Sequence, residues 1–207
     1  MKKVLLAVGV LVAIVVIAVI YVVGVANRFV ALGEKADAQW AQVQNVYQRR
    51  ADLIPNLVST VSGAANFEKS TLTEVVEARA SVGKVQLNPN QTPSEEQLQQ
   101  FQQAQDRLGS ALSRLLVVVE RYPELRANQN FLNLQTQLEG TENRITVERN
   151  RFNETVRDYN TAIRMMPGSL IAGLFNHKPR AYFRAAEGSE NAPKVNFEFG
   201  NEKKQAP

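Results

Sequence analysis

The chain begins with an apolar stretch long enough to cross a membrane. Residues 4–26 read VLLAVGVLVAIVVIAVIYVVGVA and contain no charge. As a helix that rises about 1.5 Å per residue, this stretch reaches about 34 Å, and the hydrocarbon core of a bilayer is roughly 30 Å thick. The alternative is a cleaved signal peptide with Gly24 and Ala26 at the cleavage site, but its apolar region is usually only about 7–15 residues long. The length therefore favours a retained, single-pass anchor.

The orientation of this anchor rests on few charges. Lys2 and Lys3 precede the span, whereas Arg28 and Lys35 follow it. Basic residues prefer the cytoplasmic side of a membrane, and acidic residues have little influence. The slight excess before the span, together with the amino terminus, favours a cytoplasmic amino terminus and an extracytoplasmic bulk domain.

Composition excludes several classes of function. The chain has no cysteine, so disulfides, thiolate metal sites, a cysteine nucleophile and a lipid-modified cysteine are impossible. Its single histidine, His177, cannot supply a multi-histidine metal site. A net charge of +4 lacks the clustered basic excess that is typical of nucleic-acid-binding proteins. We therefore expect no nucleic acid partner.

After the span, apolar residues recur at alternating intervals of three and four, which is typical of a helix packed at a shallow angle against others. The first stripe is Phe29, Leu32, Ala36, Trp40, Val43, Tyr47, Arg50, Ile54, Leu57 and Val61. It crosses Pro55 without losing phase, so we predict one helix over 27–64 with a bend at residues 51–55, rather than a turn. The proline frees the carbonyl of Ala51, which then needs a donor from Asn56 or from an arginine of a facing helix.

Three further helices are predicted. The second covers 67–84, with Leu72, Val75, Val76 and Val82 on its apolar face. Ser94 and Gln97 form a capping-box pattern that opens the third helix, which ends at Pro123. The fourth begins near Pro123 and runs to about Met166, before Pro167 and Gly168.

These elements predict an all-α protein, in which a single transmembrane helix precedes an antiparallel four-helix bundle with long, partly kinked helices. The expected organisation is a short flank over 1–3, the anchor over 4–26, the bundle over 27–166, and an apolar and basic segment with a polar tail over 167–207.

An up-down-up-down bundle returns the chain to the bilayer near Pro167. The next residues, GSLIAGLFNHKPRAYFR, mix apolar, aromatic and basic side chains, which suits the lipid headgroup region. The membrane-proximal candidates are Leu170, Ile171, Leu174, Phe175, Tyr182 and Phe183. The alternative, in which Leu170, Ile171, Leu174 and Phe175 cap the open end of the bundle, stays equally open.

Three charged residues fall in the phase of the apolar stripes: Arg50 in the first helix, and Glu142 and Arg149 in the fourth. A buried, unpaired charge costs several kcal/mol. One hypothesis is therefore a pair of Glu142 with Arg50 or Arg149 that fixes the helix register. The other is that these side chains extend from the edge of the seam to water.

Candidates for chemistry are few. Arg49, Arg50 and Asp52 could bind an anion, although solvated charges are the simpler interpretation. The sequence has no Glu-x-x-His pairs for a dimetal site, no HExxH motif and no Gly-rich phosphate loop. We predict no enzyme activity, no catalytic residue, no metal and no cofactor.

Two long stretches resemble the LemA family: AQWAQVQNVYQRRADLIPNLVSTVSGAANFEKSTLTEVVEARA and YPELRANQNFLNLQTQLEGTENRITVERNRFNETVRDYNTAI, followed by PGSLIAGLF. The most specific motif is RRxDLIPNLV. The matching residues are Trp40, Arg49, Arg50, Asp52, Leu53, Ile54, Pro55, Asn56, Leu57, Tyr122, Pro123, Leu125, Phe131, Leu138, Glu142, Arg149, Asn153, Tyr159 and Asn160. The polar tail after about Asn196 lies outside the resemblance.

The resemblance implies a small, single-pass protein of the bacterial inner membrane with a helical bundle and no established activity or ligand. Genes of LemA-like proteins are often neighbours of membrane metalloprotease genes, which implies an association with envelope stress or protein quality control. We predict a scaffold or adaptor of the cell envelope, in contact with membrane lipid and with a metalloprotease or another envelope protein. Self-association is expected through small residues of the span, namely Ala7, Gly9, Ala13 and Gly24. The alternative is an anion- or metal-responsive sensor, or a weak enzyme, that uses Arg49, Arg50, Asp52, Glu142 and Arg149.

Overall fold

Helices account for the regular secondary structure of the described residues. A computed structural model describes residues 1–64, 67–85, 87–88 and 91–184, and these ranges contain no strand. The helices are α1 (Lys2–Ser62), α2 (Lys69–Gly83), α3 (Glu95–Val119), α4 (Pro123–Arg126), α5 (Gln129–Arg164) and α6 (Gly168–Leu174). The predicted all-α class is therefore confirmed.

The helix α1 joins the apolar span to the bundle without interruption. Its 61 residues extend about 90 Å along the helix axis. Among the described helices, α1 is the one whose length and composition would allow it to cross a membrane. Beyond the span, its buried face from Phe29 to Val61 follows the predicted stripe, except that Gly33 is buried where Leu32 is only half-buried.

Pro55 lies inside α1, and the helix continues through it. The prediction of one helix without a turn at Pro55 is therefore confirmed, while the bend at residues 51–55 stays a prediction. The carbonyl of Ala51, which proline deprives of its usual partner, accepts a hydrogen bond from Nε of Arg79 in α2 at 3.0 Å. An arginine of a facing helix thus satisfies this carbonyl, as one of the two predicted donors.

The long helices alternate in direction. Trp40 of α1 packs against Phe152 of α5, with ring centroids 5.6 Å apart, and nearer the span Phe29 packs with Ile163. Since residue numbers rise along α1 while they fall along α5, the two helices are antiparallel.

The helix α3 runs in the same direction as α1, and α2 runs against both. Tyr47 of α1 packs edge-on against Phe101 of α3, with ring centroids 4.9 Å apart, whereas Ile54 lies in the cluster of Leu108 and Leu115. An ion pair joins Glu74 of α2 to Arg114 of α3 at 2.8 Å, and a second joins Glu68, just before α2, to Arg121, just after α3, at 3.2 Å. This alternation is compatible with the predicted four-helix bundle.

The fourth predicted helix differs from the structure at its start. Pro123 opens only the single turn of α4, and α5 begins at Gln129. Between them, the side chain of Asn128 accepts hydrogen bonds from the backbone N–H groups of Asn130 and Phe131, at 2.9 and 3.2 Å. Asparagine favours such a cap over a helix interior, so the chain restarts there. The predicted capping box of Ser94 and Gln97 is confirmed.

Helix α2 is too short to cover the whole bundle. It has 15 residues against 25 in α3, so it ends about 15 Å short of the length of α3. Its buried residues are Thr71 and Val75, while Val76, which we expected on the apolar face, is exposed. The part of the bundle core that α2 does not reach is covered by Val85 and Leu87 of the following loop and by Ala181 and Phe183 from the C-terminal region.

Replacing Arg79 tests whether its hydrogen bond to Ala51 compensates for the backbone donor that Pro55 lacks. We expect Arg79→Ala to lower the free energy of unfolding by about 1 kcal/mol, because the carbonyl of Ala51 loses its donor. In a Pro55→Ala background a backbone N–H can serve that carbonyl, so the same replacement should cost clearly less. Thermal unfolding of the four proteins in detergent, followed by circular dichroism, measures this coupling. Equal costs in both backgrounds would contradict the assigned role of Arg79.

Candidate functional site

The most elaborate polar site in the described structure holds residues 177–184, which we call the strap. This extended segment follows α6 and leads away from the span along α5. Two asparagines of α5 bind its backbone in the same way. Asn160 donates to the carbonyl of Arg180 at 2.9 Å and accepts from its N–H at 2.8 Å. Asn153 donates to the carbonyl of Phe183 at 3.0 Å and accepts from its N–H at 2.9 Å.

The spacing of the two asparagines matches the spacing of the bound residues. Asn153 and Asn160 are two helical turns apart, which is about 10.5 Å at 1.5 Å per residue. Arg180 and Phe183 are three residues apart in extended chain, which is about 10 Å. Each primary amide can both donate and accept, so it satisfies a backbone residue as a neighbouring strand would. Helix α5 therefore acts as a template for an extended segment.

The side chain of Arg180 is tied to α1 and to the loop before α3. Its two terminal nitrogens contact the two carboxylate oxygens of Asp37 at 2.6 and 2.9 Å. One of them also donates to the carbonyl of Gly33 at 3.0 Å and to Oγ1 of Thr92 at 2.5 Å. Gly33 makes room for this guanidinium, since an added Cβ would lie 3.3 Å from Nη2 of Arg180.

Asp37 is the acidic centre of this cluster. Burial alone would raise the pKa of Asp37, but hydrogen bonds from Arg180 and Thr92 and the arginine charge outweigh it and hold the pKa below the usual 3.8. Thr92 contributes both its backbone N–H, at 2.7 Å, and its hydroxyl, at 2.5 Å. The carboxylate therefore joins α1, the strap and the α2–α3 loop through its charged form.

Aromatic packing anchors the end of the strap. The ring of Phe183 is buried against Trp40 and Phe152, with centroids 6.1 and 5.6 Å away. The guanidinium of Arg149 lies 4.7 Å from the centroid of the same ring, and its Nη2 donates to the carbonyl of Arg184 at 3.3 Å. Arg149 therefore contacts the strap, whereas Glu142 pairs with Arg50.

Nearer the span, Tyr159 and His177 close the other end of the strap. The hydroxyl of Tyr159 lies 3.2 Å from Nδ1 of His177, and the histidine ring packs edge-on against Phe29 at 5.3 Å. Burial raises the pKa of the Tyr159 phenol despite the guanidinium of Arg180 5.0 Å from its ring centroid.

Arg50 forms a separate polar centre in the middle of the bundle. Its Nη1 lies 2.9 Å from a carboxylate oxygen of Glu142, and the side chains are 4% and 58% exposed. Its Nη2 donates to the backbone carbonyl of Gln105 at 3.3 Å and to the side-chain oxygen of the same residue. Both hypotheses were partly right, because the arginine is buried and paired while the glutamate lies at the edge of the seam.

The remaining predicted polar residues do not join Arg50. Arg49, Asp52, Pro55 and Asn56 are exposed, and Asp52 accepts a hydrogen bond from Gln48 on the same helix at 2.7 Å. The proposed anion site is therefore not assembled. Within the described residues, no group of three or more carboxylates and imidazoles lies close enough to hold a metal ion.

The membrane-proximal candidates divide into two groups. Leu170, Leu174 and Phe175 are exposed, whereas Ile171 packs on Phe29 beside the end of the span. Phe183 was predicted near the membrane, but its ring is buried against Trp40. The preceding residue, Tyr182, therefore also lies away from the span. The physical reason is the two asparagine clamps, which direct the strap along α5.

Sequence patterns did not reveal Asp37, Thr92 and Arg180 as one cluster. Asp37 and Arg180 are 143 residues apart, and no periodic pattern connects a helical carboxylate to an extended strap. The available signal was Asn153 and Asn160, two amides seven residues apart on the face of the fourth helix.

Comparison with known proteins gives a consistent relationship. The sequence profile of the LemA family matches residues 39–197, well over half of the chain. Magnetosome protein MamQ of Magnetospirillum gryphiswaldense is 28% identical over 173 residues, which cover 76% of this chain and 64% of MamQ. Magnetosome protein MamQ 2 of Paramagnetospirillum magneticum is 27% identical over 174 residues with the same coverage. Protein LemA of Metamycoplasma hominis is 22% identical over 173 residues, which cover 83% of this chain and 75% of that protein.

The chain thus spans less than two-thirds of the length of the MamQ proteins. Together with the apolar part of α1, the family match identifies a membrane-associated protein.

Removing one clamp should release the strap. Asn153→Ala leaves the N–H and carbonyl of Phe183 without their partners, at a cost of about 1.4 kcal/mol, or tenfold in an equilibrium. We expect trypsin to cleave after Arg180 about tenfold faster in native-state digestion. Asn150→Ala, an exposed asparagine of the same helix, is the matched control. Equal cleavage of the two variants would contradict the clamp.

The Asp37 cluster should make strap binding sensitive to acid. Because the pKa of Asp37 is lowered in the folded protein, its contribution is complete above the usual 3.8 and is lost as pH falls through the folded pKa. Trp40, the one tryptophan, touches the strap and reports on it by fluorescence. We expect Asp37→Asn to loosen the strap at neutral pH, and the difference from wild type to vanish well below pH 3.8. Asp52→Asn is the exposed control, and a difference that persists unchanged in acid would refute the linkage.

Proposed function

The chain belongs to the LemA family, and on that basis we propose that it is a membrane-anchored scaffold or adaptor of the bacterial cell envelope. The observation that carries this proposal is the continuity of α1, which supplies both the apolar span and the longest helix of the bundle. A bundle mounted on its anchor by one helix holds its outer surfaces at a fixed height and direction above the membrane. Such a body is suited to presenting surfaces to a partner.

Contacts around the start of the bundle support a rigid mounting. Phe29 of α1 packs with Ile163 of α5 and Ile171 of α6, and Val22 and Val25 of the span lie against the same cluster. Gly168 permits this approach, because an added Cβ would lie 3.1 Å from the ring of Phe29 and 2.6 Å from the carbonyl oxygen of Ala162. Side-chain packing therefore holds the anchor against the bundle, in addition to the continuous backbone of α1.

The names of the related proteins support a structural role for this chain more than one particular enzymatic reaction. The related proteins include two magnetosome proteins and a protein LemA of a different organism. We infer that this family architecture serves in more than one bacterial setting. For this chain we propose self-association through the span, a bundle on the extracytoplasmic side, and a membrane metalloprotease or another envelope protein as partner.

The alternative of a sensor or weak enzyme receives less support. Its central cation, Arg50, is already engaged by Glu142 and Gln105. Arg149 binds the strap, and Arg49 and Asp52 face solvent on another side of α1. These residues therefore offer no shared space in which a small anion would meet all of them.

The natural absence of cysteine allows a direct test of self-association. Of the four small residues of the span, Gly9 and Ala13 lie one turn apart with Gly24 near the same face, whereas Ala7 shares the opposite face with the control position Leu11. We therefore propose the interface on the face of Gly9 and Ala13. We expect Gly9→Cys and Ala13→Cys to form disulfide-linked dimers in native membranes on mild oxidation, and Leu11→Cys to form few. Monomers at all three positions would remove self-association from the proposal.

A partner is tested at the exposed residue Val117 of α3. A thiol-specific cross-linker on Val117→Cys should give a discrete adduct with an envelope protein at natural expression levels, while the buried control Val43→Cys should not react. An adaptor role would be contradicted if Val117→Cys, the span variants and further exposed positions on α2 and α5 all gave monomer.

A further inference from the structure

An apolar surface lies beside the point where α1 leaves the span. Residues 165–176 contain no charge. Their helix, α6, buries Ile171 and Ala172 against α1 and α5 but leaves Leu170 and Leu174 outward, 68% and 77% exposed. Phe175, Met165 and Met166 extend this exposed surface. Single exposed apolar residues are common on protein surfaces, but five large ones on one charge-free segment indicate an interaction surface.

The height of this surface relative to a bilayer follows from α1. Phe29, which α6 contacts, is only three residues beyond the end of the charge-free span at Ala26, which is about 4.5 Å along a helix. Val22 and Val25, inside the span, lie against the same cluster. Because α1 is continuous, a bilayer around the span reaches α6.

A groove of about 540 Å³ adjoins α6 and runs along α1. On α1 its lining residues Tyr21, Val25 and Arg28 share one face, and they pass from the apolar span to its first following charge. On the other side, α5 contributes Arg157 and Asp158, and Met165 and Met166 close the groove. The lining thus changes from apolar at the level of the acyl chains to basic at the level of the headgroups.

The charges of the groove favour an anion. Two arginines face one aspartate, and the contact of Arg157 with Asp158 is long, with Nε 3.9 Å from a carboxylate oxygen. Guanidinium groups bind phosphate through several N–H donors in a fixed geometry. An acyl chain along Val25 with a phosphate between Arg28 and Arg157 would fill both parts of the groove.

We propose that α6 and this groove form a binding site for an acidic phospholipid of the bilayer that holds the anchor. The exposed side chains of α6 enter the boundary between headgroups and acyl chains, and Arg28 and Arg157 hold the lipid phosphate. This proposal rests on the retained span and not on the proposed scaffold function, so either can fail alone.

The depth of α6 is measured with the full-length protein in liposomes that contain brominated phospholipids. We expect strong quenching of tryptophan fluorescence for Leu174→Trp. Val117→Trp, an equally exposed position far along α3, should behave like wild type. The native Trp40 lies fourteen residues beyond Ala26, about 21 Å along α1, and should contribute a constant background. Absence of quenching in Leu174→Trp would overturn the docking of α6.

Lipid selectivity is measured after extraction from vesicles of equal parts phosphatidylglycerol and phosphatidylethanolamine. Wild-type protein should retain phosphatidylglycerol above its share in the vesicles, as seen by native mass spectrometry. We expect the double variant Arg28→Gln, Arg157→Gln to retain about tenfold less. The single variant Arg144→Gln removes an exposed charge from α5 further from the span, and it should behave like wild type.

Three outcomes contradict the lipid site. One is equal retention of the two lipids by wild-type protein, and another is unchanged retention in the double variant with an unaltered melting temperature. The third is displacement of phosphatidylglycerol by inorganic phosphate at similar concentration, which would assign the arginines to a free anion. If the double variant fails to fold, Arg28→Lys and Arg157→Lys should keep the charge and most of the selectivity.

Discussion

The structure depends on α1 remaining helical across Pro55. A break there would separate the span and the Trp40 cluster from the packing of Ile54, Leu57 and Val61 at the far end of the bundle. Proline removes one backbone donor and crowds the preceding turn, which costs about 3 kcal/mol when nothing compensates. Continuous packing on both sides of Pro55, together with the bond from Arg79 to Ala51, offsets this cost. Within the RRADLIPNLV motif, Ile54 and Leu57 therefore pack in the bundle core on either side of Pro55, whose lost donor Arg79 replaces.

The structure also depends on how the chain covers the part of the bundle that the short helix α2 leaves open. A fourth long helix would cover it with a periodic apolar stripe, but the chain closes it with a loop and an extended strap. Extended backbone presents unpaired N–H and carbonyl groups, and these need partners when they are buried. Asn153 and Asn160 supply those partners, and the Asp37–Arg180 pair fixes the strap to α1. Three of the polar residues that match the LemA family, Arg149, Asn153 and Asn160, contact the strap in this way.

Sequence reasoning succeeded where one periodicity governs many residues. The stripe of α1 and the capping box at Ser94 follow from local spacing, whereas the cost of burying a lone charge gave the pair of Arg50 with Glu142 only as one of two hypotheses. It was wrong about the start of the fourth helix, because a single side chain, Asn128, decides between continuing and restarting. It missed the strap because the contact of Arg180 with Asp37 depends on tertiary geometry alone. The position of Phe183 could not follow from its apolar character, since the lipid interface and an aromatic core favour the same side chain.

Arg50 raises the question of why a buried arginine is present at all. Its Nε has no hydrogen-bond partner among the described residues, and an apolar side chain of similar volume would avoid that cost. Its two terminal nitrogens, however, contact α5 through Glu142 and α3 through Gln105, while the guanidinium lies 5.2 Å from the ring centroid of Tyr47. Apolar stripes with a repeat of three and four tolerate a shift by one repeat, because leucines and valines then meet other leucines and valines. A guanidinium displaced by about 10.5 Å along the bundle would be buried without a carboxylate. We therefore expect Arg50 to disfavour a shift by one repeat, so that the cost of burying its guanidinium is balanced by a better-defined helix register.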